Sequence, residues 1–171
     1  MSATYRVRQF AQAASAWARP EDEQLVRTYL PAAAVRLFAA MPRYDRQHAL
    51  RVVRSLQQQG QTDPDLLAAA LLHDVGKSQH PAGSLRLGHR VAAVLLRALT
   101  PGLLERWGQE EGEGWRRLFY IQRHHAALGA ALAQAAGCSS RTVDLIRRHE
   151  EPLPPESDPL LAALQAADGE N

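Results

Sequence analysis

The stretch LLHDVGK, residues Leu71–Lys77, follows an apolar run and then places an imidazole, a carboxylate and an ammonium within five residues. The run before it is rich in Leu and Ala, which predicts that His73 and Asp74 lie against the protein core. Burial of an ionised carboxylate costs several kcal/mol unless a cation or strong hydrogen bonds compensate it. We therefore expect a cationic partner for Asp74, either a side chain or a metal ion.

Good helix formers dominate the chain on both sides of this stretch, and runs of alternating β-branched residues are missing. Asp63 is a predicted N-cap with Pro64 at the first helical position, so one helix leads directly into HDVGK. Another predicted helical segment begins after Pro20 and is interrupted near Pro31. Further predicted helices cover residues 6–17, 43–59, 85–99, 101–107, 115–136, 139–150 and 158–168. The predicted fold class is all-α, a compact helical bundle.

Composition and charge narrow the class of protein. The 171 residues suit one domain, and 46% hydrophobic with 22% charged residues is ordinary for a soluble protein. A net charge of +2, with both signs interspersed, does not indicate a nucleic-acid binder. The single cysteine, Cys138, excludes a disulfide scaffold and a Cys-rich zinc site. No stretch approaches the roughly 18–20 apolar residues of a membrane span, so we expect a cytoplasmic protein without a membrane partner.

Candidate metal ligands are spread over separate predicted helices. Besides His73 and Asp74 there are four, each beside apolar residues: His48, His125, His149 and Asp168. Helices that each aim one polar side chain at a common centre build a metal site in a helical bundle. Imidazole and carboxylate donors suit Mn²⁺, Fe²⁺, Zn²⁺ or Ni²⁺. Ligands that leave coordination positions open let such an ion lower the pKa of bound water toward about 7.

The order of these residues is similar to a known signature. His48, then His73 and Asp74 in LLHDVGK, then Asp168 in LQAAD resemble the H…HD…D pattern of the HD-domain metal-dependent phosphohydrolases. The resemblance covers about residues 42–171 and implies an HD-type bundle in which these four residues hold the first metal ion. Residues 1–41 then form a short N-terminal helical extension.

A second likeness concerns the HD-GYP branch of that superfamily. HHAALGAALAQAAG (124–137) and VDLIRRHEEP (143–152) resemble its extra-histidine region. The likeness implies that His125 and His149 hold a second ion, with Asp74 as the bridge. Arg148 stands where that branch has another histidine, and the GYP loop is absent. Cyclic-dinucleotide hydrolysis of the HD-GYP kind is therefore not expected.

The resemblance implies a phosphohydrolase that uses one or two divalent ions (Mn, Fe, Ni, Zn or Mg). A metal-activated water would attack a small phosphorylated substrate such as a nucleotide, either a phosphomonoester or a phosphodiester. Lys77 is expected to act as a point charge for phosphate, and His124, the non-ligating neighbour of His125, as general acid. Asp74 is expected to be essential to the reaction.

Two alternatives stay open on the sequence. Taken alone, His73 and Asp74 are more often a buried hydrogen-bonded pair than metal ligands. The same fold also serves as a ligand-binding or regulatory module without turnover, although such a module needs no complete ligand set. Because a buried carboxylate without its ion is unfavourable, we expect Asp74→Ala to remove metal and activity and to raise the thermal stability of the metal-free protein.

Overall fold

The computed structural model describes residues 20–79, 115–154, 156 and 158–171. These residues form seven α-helices: α1 (Pro20–Tyr29), α2 (Ala32–Ala40), α3 (Arg43–Gln58), α4 (Pro64–Leu72), α5 (Trp115–Ala135), α6 (Ser140–Arg148) and α7 (Pro159–Gly169). A 3₁₀ helix, Val75–Gln79, follows α4. The described residues contain no strand, so the all-α prediction is confirmed. The helices predicted at 6–17, 85–99 and 101–107 lie outside the described residues.

Short-range signals in the sequence start three of these helices. At α4 the Asp63 carboxylate accepts a hydrogen bond from the Leu66 N–H at 2.9 Å, and Pro64 is the first helical residue. Ser139 and Asp158 cap α6 and α7 in the same way. Each cap provides an acceptor for an amide that the helix itself leaves without one.

Glycine ends two of the helices. Gly60 after α3 and Gly137 after α5 both have φ of 81°, a conformation that costs other residues free energy. Beyond α5 the Cys138 N–H donates to the Ala133 carbonyl oxygen at 3.0 Å, which is the hydrogen bond of a Schellman motif. The chain therefore turns sharply at both points and returns to the bundle.

Helix α4 is the centre of the bundle. Every residue from Leu66 to Leu72 is buried, and α1, α3, α6 and α7 all pack around this helix. Val26 of α1 and Phe38 of α2 are fully buried in the same core. An apolar helix that is covered on all sides delivers the residue at its carboxyl end, His73, into the interior. None of the described helices is both long and apolar enough to cross a membrane.

The 3₁₀ helix lies unusually close to α5. A Cβ at Gly76 would be 2.1 Å from the His125 carbonyl oxygen and 2.8 Å from the Gly129 amide nitrogen. Gly76 has no positive φ, so it is required for this close approach of two backbones rather than for a turn. The contact sets Asp74 beside His125.

Candidate metal centre

His73 and Asp74 are both buried in the structure. His73 is the C-cap of α4 and has no exposed surface, and Asp74, the next residue, is 6% exposed. Since α4 is apolar on every side, both polar groups end at the centre of the bundle. They need partners there from other elements.

Four imidazoles converge at this point from four different elements. The ring of His73 lies 5.3 Å from that of His48 on α3 and 5.3 Å from that of His149 after α6, centroid to centroid. His125 on α5 follows at 5.2 Å from His149. The helices thus bring together the histidines that the sequence analysis singled out as ligands.

Three of the four rings are oriented by the same local hydrogen bond. Nδ1 donates to the carbonyl oxygen three residues earlier: His73 to Ala70 at 2.9 Å, His125 to Gln122 at 2.8 Å and His149 to Ile146 at 2.7 Å. A carbonyl oxygen accepts only, so the Nδ1 atoms carry the protons. In the neutral rings the lone pair is then on Nε2, which faces the centre, as in metal-binding histidines.

Two of these Nε2 atoms have no hydrogen-bond partner among the described residues. Those of His73 and His125 are buried, and within the described part of the chain neither makes a hydrogen bond. Asp168 Oδ1 approaches the His73 nitrogen to 3.3 Å, but without hydrogen-bond geometry. Unsatisfied buried polar atoms are rare in folded proteins and indicate an ion or a water. The residues therefore fit a bound cation.

Asp74 stands between two sets of donors. Its Oδ1 lies 3.8 Å from His73 Nε2, 3.5 Å from His125 Nε2 and 4.0 Å from His149 Nε2. Two donors that bind one ion at about 2.1 Å lie about 3.0–3.5 Å apart, close to these separations. The donor atoms form two compact groups that share Asp74: a first group of His48, His73 and Asp74, and a second group of Asp74, His125 and His149.

Asp168 on α7 belongs with the first group. Its Oδ1 accepts a hydrogen bond from His48 Nε2 at 2.7 Å, across 120 residues of sequence. It is also the oxygen that approaches His73. All four residues of the H…HD…D pattern therefore lie at one place in the structure.

Lys77 provides a side-chain cation for Asp74. Its Nζ lies 2.6 Å from Asp74 Oδ1, and the lysine side chain is 18% exposed. His124 lies elsewhere: its ring packs on that of Tyr120, with centroids 4.4 Å apart, and it belongs to neither donor group.

One carboxylate near the site, Glu150, was not predicted from the sequence. Glu150 Oε1 lies 3.6 Å from His125 Nε2. The only indication in the sequence was that Glu150 directly follows His149, because consecutive residues at a helix end can reach the same site. A bare His-Glu pair is too common to have identified it.

The first group compensates its own charges. Burial by itself lowers the pKa of His73, but the carboxylates of Asp74 and Asp168 outweigh it and raise that pKa. Burial works against ionisation of Asp168, yet the hydrogen bond from His48 and the proximity of the His73 imidazole hold its pKa well below the usual range. The pKa of Asp74 is likewise lowered, by His73 and Lys77 against the effect of burial. Both carboxylates are ionised at neutral pH.

The second group is different because its imidazoles are neutral. Burial lowers the pKa of His125 to about 4, and the Lys77 ammonium adds to the effect. Burial, together with the charge of His73, lowers the pKa of His149 to about 4 as well. At neutral pH both rings keep the lone pair that a metal ion needs.

Comparison with known families agrees with this geometry. The family model described as HD domain matches residues 46–169, a range that includes every member of the two donor groups and Asp168. No curated protein and no solved structure matches the chain.

Proposed function

The chain belongs to the HD-domain family, and on that premise we propose that it is a metal-dependent phosphohydrolase acting on a small phosphorylated substrate such as a nucleotide. The observation that carries the proposal is the convergence of four imidazoles on Asp74 and Asp168, with two buried Nε2 atoms that lack a hydrogen-bond partner in the described part of the chain. A buried hydrogen-bonded pair of His73 and Asp74 alone would not require four imidazoles and a second carboxylate.

We assign one or two divalent ions to the two groups. The first group with Asp168 would hold one ion, the second group another, and Asp74 would be common to both. Imidazole and carboxylate donors suit Mn²⁺, Fe²⁺, Ni²⁺, Zn²⁺ or Mg²⁺ rather than ions that prefer thiolates. A divalent ion at such a place supplies Lewis-acid chemistry, since it lowers the pKa of water and polarises a phosphoryl group.

The protein's own contribution is orientation and charge. The Nδ1 hydrogen bonds of His73, His125 and His149 hold each ring with Nε2 inward. The rings therefore need little reorientation when a metal ion binds. The low pKa of His125 and His149 keeps them unprotonated at pH 7. Asp74 supplies a negative charge to both groups.

Lys77 is placed to act on substrate. Its ammonium sits on Asp74 and is partly exposed, so a phosphoryl oxygen at the site can take over this contact. We propose that Lys77 stabilises negative charge on the phosphate in this way. For His124 to serve as general acid, the leaving group must reach the side of α5 that carries Tyr120.

Metal analysis and hydrolysis assays on the purified protein test the proposal. Protein stripped with a chelator and reloaded with Mn²⁺, Fe²⁺ or Zn²⁺ is assayed on p-nitrophenyl phosphate, bis-p-nitrophenyl phosphate and nucleoside phosphates. We expect metal-dependent turnover that is lost in His48→Ala and kept in Gln58→Ala, an exposed position on the same helix. A metal-loaded protein that hydrolyses none of these substrates would contradict the proposal and favour a ligand-binding module.

A further inference from the structure

Glu150 faces the second group from its solvent side. It follows His149 directly after α6, and its side chain is 35% exposed. Its Oε1 lies 3.6 Å from the fully buried Nε2 of His125. It thus combines access to solvent with proximity to a buried donor atom that has no hydrogen-bond partner in the described part of the chain.

The surroundings of that nitrogen contain acceptors. The Nδ1 proton of His125 is committed to the Gln122 carbonyl, so Nε2 of the neutral ring presents a lone pair. Asp74 Oδ1 at 3.5 Å and Glu150 Oε1 at 3.6 Å both face this lone pair. The Lys77 ammonium compensates Asp74 Oδ1 at 2.6 Å, whereas the His125 lone pair and Glu150 Oε1 repel one another. A cation bound by both carboxylates and this lone pair turns that repulsion into attraction.

The neighbouring residue has a different arrangement. Glu151 accepts from Arg148 Nε at 3.2 Å, and Asp144 lies 3.2 Å from the same guanidinium. The arginine next in the chain to His149 is therefore engaged by two other carboxylates. Glu150 Oε1 instead lies 3.6 Å from Nε2 of the buried His125.

We propose that Glu150 is a fourth donor to the second group and closes the solvent side of the ion site formed with Asp74, His125 and His149. This inference rests on the proposed function, because it deepens the second ion site. The completed set has two imidazoles and two carboxylates, which favours Mn²⁺ or Fe²⁺ over thiolate-preferring ions. Glu150 is a ligand in this proposal and takes no part in proton transfer.

Titration of the metal-free protein with Mn²⁺ tests it, by calorimetry on the wild type, Glu150→Gln and Glu151→Gln. We expect two ions in the wild type and in Glu151→Gln. In Glu150→Gln we expect binding of the second ion to weaken by at least about 10-fold, with the first ion unchanged. The paramagnetic resonance signal of a coupled Mn²⁺ pair should be present in the first two proteins and absent from Glu150→Gln at equal metal concentration.

Equal Mn²⁺ affinities in Glu150→Gln and the wild type would overturn the proposal, and so would a wild type that binds one ion at saturation. Because both glutamates are exposed, we expect the metal-free variants to melt at the wild-type temperature. Equal melting temperatures exclude a folding defect as the cause of weaker binding. The two proposals fail separately. A loaded wild type without turnover contradicts the hydrolase but leaves Glu150 a ligand, whereas turnover with equal loading of wild type and Glu150→Gln contradicts only the role of Glu150.

Discussion

The two donor groups share Asp74 but handle burial of polar groups in opposite ways. In the first group His48 and Asp168 are already hydrogen-bonded at 2.7 Å, and the carboxylates raise the pKa of His73. In the second group the donors are 3.5 and 4.0 Å from Asp74 Oδ1, and the pKa values of both histidines fall to about 4. In the first group the carboxylates and the imidazoles therefore compensate one another. In the second group the imidazoles stay neutral, and their lone pairs are available to a bound metal ion.

The largest effect is expected from the residue that both groups share. Asp74→Ala should remove both ions and lower hydrolysis by at least about 1000-fold, measured by metal analysis and turnover. The sequence alone led us to expect a more stable metal-free protein, and the contact of Asp74 with Lys77 favours the opposite outcome. Lys77 partners Asp74 at 2.6 Å and the pKa of Asp74 is lowered on folding, so the ionised carboxylate stabilises the folded state at pH 7.

We therefore expect Asp74→Ala to lower the free energy of unfolding of the metal-free protein by about 1–3 kcal/mol, because Lys77 loses its partner. Urea unfolding in the presence of a chelator measures this change. Asp144→Ala is the control, since it removes a half-buried carboxylate that pairs with Arg148 at 3.2 Å. A variant of Asp74 that retained its metal would refute the assignment of both groups.

The next largest effect is expected at Gly76, where the 3₁₀ helix packs against α5 beside the second group. In Gly76→Ala the new Cβ would meet the backbone of His125 at 2.1 Å, so the 3₁₀ helix and α5 must separate. We expect a loss of about 3 kcal/mol or more in the free energy of unfolding and weaker binding at the second group. Gly169→Ala, where a Cβ meets nothing within 4 Å, should change neither quantity. Wild-type stability of Gly76→Ala would show that the close approach is not required.

A pH series separates the two groups in the metal-free protein. The pKa of His125 and His149 is about 4 in the folded state and near 6.5 in the unfolded state, so between these values the unfolded chain binds more protons. Stability from these residues is present above about pH 6.5 and is lost as the pH falls toward 4. His73, whose pKa is raised, acts in the opposite direction and loses its contribution as the pH rises.

We expect the free energy of unfolding to fall between pH 7 and pH 4.5, and His149→Gln to reduce that fall by on the order of 2 kcal/mol. Chemical unfolding in a chelator at both pH values gives the comparison. Parallel pH dependence in the variant and the wild type would mean that His149 is not buried in its neutral form.

The smallest effect contrasts Asp168, which lies with the first group, and Glu150, which lies beside the second. Asp168→Ala removes the hydrogen bond to His48 and should destabilise the metal-free protein by about 1 kcal/mol. Glu150→Ala removes no hydrogen bond within 3.5 Å that the described residues make, so its effect should stay within about 0.5 kcal/mol. Thermal unfolding of both variants without metal measures the difference. Equal losses of stability in the two variants would contradict the contrast between the first and the second group.

Much of the fold could be predicted because its signals are short-range. Asp63 as N-cap, the break near Pro31 and the end of α3 at Gly60 depend on residues only a few positions apart. Helix ends agreed to within about two residues, the ordinary uncertainty of such boundaries. The role of Gly76 in backbone packing was not predicted, because the partner backbone is about fifty residues away in sequence.

The sequence by itself determined the all-α class, the burial of His73 and Asp74 and the set of residue types able to hold a metal, since these follow from apolar patterning and local chemistry. Only the tertiary structure decided which atoms meet: Asp168 with His48, and Glu150 with His125. The physical reason is that these pairs depend on how separate helices pack, and a shift of a few ångströms would break each contact while leaving every helix intact.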